Sequence, residues 1–161
     1  MPFWLTILHN SILLNRRLLR FAWGFDLFSS HRFAEWMICK YCELAQTPHC
    51  DDGGDGFDSR SGTFVEIASS HKVSAHHDGF PFRNLVPEPK GGREISCHVL
   101  LMFDLRGRTE KTLHFFVIPP DHIPKSGSMA IRLPIEQSKW SQYEQSLGEL
   151  RGAVRETIDR H

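Results

Sequence analysis

The sequence predicts an α/β (α+β) fold with a central mixed β-sheet flanked by helices. Apolar residues recur at helical spacing near residue 31 and again near the C-terminus. Between them lie two near-continuous apolar runs, 95–105 and 112–118, of the kind found in strands buried on both faces. The order helix, helix, strands, helix then sets helices against a mixed sheet. Composition agrees with this reading. The chain has 161 residues, 40% of them hydrophobic and 24% charged, with 19 basic and 19 acidic side chains. These values exclude a disordered chain, a collagen, a coiled-coil rod and a disulfide scaffold. The length suits one domain over 31–161, preceded by an N-terminal extension over 1–30.

Residues 1–15 lack charge and are followed by Arg16 and Arg17. A signal peptide carries its positive charges before the apolar stretch, so this order argues against one. The stretch is also too short, and too broken by His9, Asn10 and Asn15, for a transmembrane segment. An amphipathic helix over about 4–22 is expected, placed against the core, a partner or a membrane surface. In 31–45, Phe33, Met37, Tyr41 and Leu44 form one apolar stripe, and Pro48 with the Gly/Asp-rich stretch 51–56 ends that helix. Residues 63–67 read as a short strand. Residues 79–85 read as an extended segment that Pro81 confines to an edge or bulge. Residues 129–133 read as a further short strand. Trp140, Tyr143, Leu147, Leu150, Val154 and Ile158 mark the buried stripe of a last helix, and Trp36 is also assigned to the core.

Cys39 and Cys42 form a C-x-x-C, with His49 and Cys50 close behind. Zinc is one reading, but no second C-x-x-C follows and the pair lies in a helix, so buried thiols in a reducing, cytoplasmic setting are preferred. His71, His76 and His77 read as a solvated polar stretch. His98 and His114 read as hydrogen-bonded core residues. Charge is uneven along the chain: 31–68 holds three basic against seven acidic side chains, between mildly basic flanks. The Gly/Asp loop 51–58 fails the EF-hand pattern, because the twelfth position from Asp51 is Gly62. What remains is Asp58 and, in the following strand, Glu66. Two carboxylates and the carbonyl of Ile67 would offer hard oxygen ligands to Mg²⁺ or Mn²⁺. An ion held there could activate water for phosphodiester hydrolysis.

Several segments together resemble the PD-(D/E)XK, restriction-endonuclease-like nuclease superfamily. Arg32-Phe33-Ala34-Glu35 stands where that family carries a helical glutamate. Gly56-Phe57-Asp58 precedes the strand Phe64-Val65-Glu66-Ile67-Ala68, and Phe80-Pro81-Phe82-Arg83-Asn84-Leu85 follows it. The buried strands and Lys139-Trp140-Ser141-Gln142-Tyr143 come next, so the resemblance covers about 31–150. It implies a restriction-endonuclease-like sheet and catalytic roles for Glu35, Asp58 and Glu66. It further implies a metal held by Asp58, Glu66 and Ile67, and nucleic acid as partner, DNA favoured over RNA, with a homodimer or protein partner also open. The family's lysine, which positions water and stabilises charge in the transition state, should stand at position 68, where this chain has Ala68. Lys72 is the nearest substitute, although four strand residues span about 13 Å. Two functions are therefore carried forward: a metal-dependent nuclease with weakened or lost catalysis, and a catalytically inactive nuclease-like binding protein.

Overall fold

All ten residues of Ile95–Asp104 are buried, so this strand has a packed layer on each side. The computed structural model describes residues 31–47, 54–72, 79–85, 93–104 and 113–161. The expected helix over 4–22 lies outside them, as do His49, Cys50, His76 and His77. The elements are α1 (His31–Cys42), β1 (Ala45–Gln46), β2 (Gly56–Asp58), β3 (Thr63–Lys72), β4 (Gly79–Phe82), β5 (Ile95–Asp104), β6 (Leu113–Ile118), β7 (Met129–Arg132), β8 (Glu144–Gln145) and α2 (Leu147–Arg160). The main sheet runs β1-β2-β3-β5-β6-β8, and β4 and β7 form a separate two-stranded sheet. Among the described residues of this sheet β3 and β5 pair in parallel and the other neighbours are antiparallel. The α+β class with a mixed central sheet is thus as the sequence predicts.

The pleat of the strands divides the core in two, because successive side chains leave a strand on opposite faces. On one face Val65, Ile67, Cys97, Val99, Leu101, Phe103, Phe115 and Val117 pack under the two helices, against Ala34, Met37, Ile38, Leu150, Val154 and Ile158. On the other face Leu100, Met102, Phe116 and Ile118 pack under the small sheet, against Phe80, Phe82, Met129 and Ile131. The small sheet takes the place that a second helical layer would occupy. Pro81 is tolerated in β4 because that strand has a single partner, β7.

Three elements differ from expectation for local reasons. Helix α1 stops at Cys42 because Glu43 adopts φ 59° and Leu44 N–H turns back to the Cys39 carbonyl at 2.9 Å. Trp36 is 52% exposed, tilted against Phe33, and so is not a core residue. The last helix begins at Leu147 rather than Trp140. Residues Ser141–Tyr143 form a short 3₁₀ turn and β8 then adds to the edge of the sheet. Trp140 and Tyr143 belong to the second core cluster, whereas Leu147 onward face the first. Glu149 Oε2 accepts the Ser146 N–H at 3.1 Å, which marks the true helix start. Among the described residues no helix is long and apolar enough to cross a membrane.

Leu100 and Leu101 are sequence neighbours that point into different cores, each 0% exposed. Replacing either with Ala should destabilise the chain by about 2–5 kcal/mol in urea unfolding. A near-neutral effect for one of them would mean that one face is not packed.

Candidate functional site

The hairpin between β2 and β3 decides where the acidic residues go. Asp58 pairs with Thr63, Phe57 with Phe64 and Gly56 with Val65. Gly62, at φ +77°, closes the turn, and its N–H donates to the Asp58 carbonyl at 2.9 Å. Cross-strand partners share a face, so Asp58 lies on the same face as Thr63 and Val65, beneath the helices. A Cβ on Gly56 would come within 3.0 Å of Cys39 Sγ, which places this face directly against α1. Glu66, one residue beyond Val65, leaves β3 on the opposite face.

The expected pairing of Asp58 with Glu66 is therefore corrected: the two carboxylates are on opposite faces of the sheet. Asp58 is instead the anchor of α2. Arg155 Nη1 donates to Asp58 Oδ1 at 2.6 Å, and Ser61 Oγ donates to Asp58 Oδ2 at 2.9 Å. The other Arg155 nitrogen, Nη2, reaches the Cys42 carbonyl at 3.2 Å and the Glu43 carbonyl at 3.4 Å. One guanidinium thus ties α2 to β2 and to the end of α1. Burial pushes the Asp58 carboxyl up, but Arg155 and Ser61 more than offset it, and its pKa lies below the ordinary value.

Glu66 stands opposite position 55, one step past the Gly56–Val65 pair. Its side chain accepts the Gly54 N–H at 2.7 Å, and the Ile67 N–H donates to Asp55 Oδ2 at 2.8 Å. β2 ends at Gly56, and these two side-chain bonds continue the ladder where the backbone partner is gone. Gly54 suits this role: it has φ +80°, and a Cβ there would sit 2.8 Å from that of Phe64. The N–H and C=O of one strand residue point to the same edge, so the Ile67 carbonyl also faces Asp55. Glu66 is 8% exposed. Burial, then the carboxylate of Asp55, then that of Glu35 push its pKa up to about 7, against the Gly54 bond, which lowers it. No cation is among the groups that shift it.

The other expected residues fall as follows. Glu35 is buried, 2% exposed, and is near enough to Glu66 to act on its charge. Ala68 is on the Glu66 face, and its methyl packs against the second core cluster. Lys72 ends β3 opposite Asp104, six residues beyond Glu66 and so about 20 Å along an extended strand. That distance removes it as a substitute for the missing lysine. Asp55 is the residue that sequence reasoning missed. The available signal was the tight turn after Asp58, which sets the register and puts residue 55, not 58, across from Glu66.

Among the described residues no group of three or more His, Cys, Asp or Glu side chains is gathered to hold a metal ion. Asp55, Glu66 and the Ile67 carbonyl nonetheless share one edge of β3, and a divalent cation there would relieve the repulsion that raises Glu66. The described cysteines are no metal set either. Cys39, Cys42 and Cys97 are buried thiols outside any disulfide, and burial pushes the Cys42 thiol up to about 12.

Two predictions follow from the opposed faces. Arg155→Met should destabilise the chain by up to roughly 3 kcal/mol, since it leaves the buried Asp58 carboxylate with only Ser61 and the exposed Arg60, 3.6 Å away, as partners. In combination with Asp58→Asn the loss should be smaller than the sum, as read from urea midpoints. For Glu66, the folded carboxyl titrates near 7 against an ordinary 4.5. The folded state therefore holds this proton more tightly, and stability drains away as pH rises from about 4.5 through 7. Glu66→Gln should remove that loss and gain roughly 3 kcal/mol over the native chain between pH 4 and pH 8. An unchanged pH profile would show that Glu66 is not held in this environment.

Compared with models of known protein families and with curated proteins, the chain matches none.

Proposed function

We propose that this chain is a nuclease-like protein of the PD-(D/E)XK type that keeps a two-carboxylate place for Mg²⁺ or Mn²⁺ while phosphodiester hydrolysis is lost or strongly reduced. The observation that carries the reading is the surroundings of Glu66. Asp55 and Glu35 act on it with negative charge, no cation contributes, and Ala68 gives the lysine position to an apolar contact. The meander β1-β2-β3 with β5 parallel to β3 supports the resemblance in the sequence. Asp55, Glu66 and the Ile67 carbonyl would hold the ion. Bound there, it would polarise a phosphate oxygen and make a bound water more acidic. Without a lysine beside that water, part of the charge built up in the transition state goes unbalanced, and a loss of this kind is worth orders of magnitude in rate. Binding of nucleic acid is the activity that remains.

A second reading has its own observation. Both carboxylates already accept backbone N–H groups and so act as rungs of the sheet. On this view the chain is an interaction protein with no ion.

One set of assays separates them. Plasmid, single-stranded DNA and RNA are incubated with the native chain in Mg²⁺ or Mn²⁺, beside Glu66→Ala and Ala68→Lys, and Mn²⁺ binding is followed by calorimetry. The expected result is Mn²⁺ binding lost in Glu66→Ala, no cleavage by the native chain, and metal-dependent cleavage gained in Ala68→Lys. Native cleavage abolished by Glu66→Ala would overturn the claim of lost catalysis. Absence of Mn²⁺ binding would favour the interaction protein.

A further inference from the structure

A cavity of about 290 Å³ opens between the outer face of β7 and the turns that follow it. It is lined by Arg132, Gln137, Ser138 and Lys139, together with Pro134 and Trp140. The lining holds two cations and no carboxylate. Glu136, on the same short turn, is not part of it. The arrangement has a cause in the sequence. β7 alternates, with Met129 and Ile131 buried and Ala130 and Arg132 exposed, so the guanidinium must leave on the cavity side. Pro134 and the 3₁₀ turn Ile135–Gln137 then bring the chain back, and Trp140 plugs into the second core cluster.

Lys139 is held in place by that plug. Its Nζ stands 4.6 Å from the centre of the Trp140 ring, a cation–π contact that restrains an otherwise loose side chain without neutralising it. Among the described residues no carboxylate forms an ion pair with Arg132 or Lys139. The Trp140 backbone N–H donates to Ser138 Oγ at 3.3 Å, which leaves the Ser138 hydroxyl proton available as a donor. A cavity lined by a planar guanidinium, an ammonium, a hydroxyl and an amide, with no carboxylate among its described lining residues, matches a tetrahedral oxyanion.

We propose that this cavity is a phosphate-binding site, taking the phosphoryl group of a small phosphorylated molecule or of a nucleic-acid backbone. It is a separate feature from the acidic edge of β3 and does not depend on how that edge is read.

The test titrates the full chain with inorganic phosphate, with a nucleoside monophosphate and with short single-stranded and duplex DNA. Calorimetry and the Trp140 indole N–H resonance report binding. Variants are Arg132→Gln with Lys139→Gln, the charge-keeping Arg132→Lys with Lys139→Arg, and Arg160→Gln, an exposed cation on α2 outside the cavity, as a control. Phosphate is expected to bind and to shift the Trp140 indole signal. Its affinity should fall at least about tenfold in the double Gln variant, recover in large part in the charge-keeping variant, and stay native in Arg160→Gln. If DNA affinity also falls and the salt slope drops by about 2, the phosphates are those of nucleic acid. If only the monophosphate is affected, the ligand is a small phosphorylated molecule. Either supports the site. No saturable phosphate binding, or equal binding by the native chain and the double Gln variant, overturns it.

Discussion

The structure depends on burying β5 on both of its faces. A strand of ten buried residues cannot sit at a boundary with water, so something apolar must cover each side of the sheet. Helices α1 and α2 cover one side and the small β4–β7 sheet covers the other. β3 pairs with β5 in register from Val65 to Lys72 and inherits the same division. Once Val65 and Ile67 are committed to the helices, Glu66 and Ala68 must face the other way. A shift of one residue would exchange the two sets and place a carboxylate under the helices in exchange for a core valine.

This constraint gives the two acids of the hairpin different work. Asp58, on the helix side, meets Arg155 and becomes part of the joint between α2, β2 and the end of α1. Glu66, on the far side, meets the Gly54 N–H and the charge of Asp55 and Glu35. The first carboxylate is satisfied by a cation and held below its ordinary pKa. The second has no cation beside it among the described residues and is held above it. Opposite shifts in two acids eight residues apart record the two environments on either side of one sheet.

Much of the fold was legible in the sequence because it rests on strong periodic patterns. The apolar runs of β5 and β6, the stripe of α1 and the stripe of α2 from Leu147 each reflect burial that local residues alone reveal. Strands of two or three residues, such as β1, β2 and β8, carry too few side chains to show a period. Trp140 and Tyr143 misled because their spacing happened to continue the helix while their side chains serve the other core. Trp36 misled because size suggested burial, although its place on α1 faces solvent. The site was half legible. Glu66 and the absent lysine at Ala68 can be seen in the sequence, but choosing between Asp55 and Asp58 needs the register of the hairpin, which one glycine in the turn controls.

The measurement that bears most directly on the opposed faces is carboxyl titration by ¹³C NMR, in the native chain and in Asp58→Asn and Asp55→Asn. The structure predicts a Glu66 midpoint near 7 that Asp58→Asn leaves in place and Asp55→Asn lowers, because the Asp55 charge reaches Glu66 and the Asp58 charge does not. A Glu66 midpoint that falls in Asp58→Asn and holds in Asp55→Asn would put Asp58 and Glu66 in one site and contradict this account.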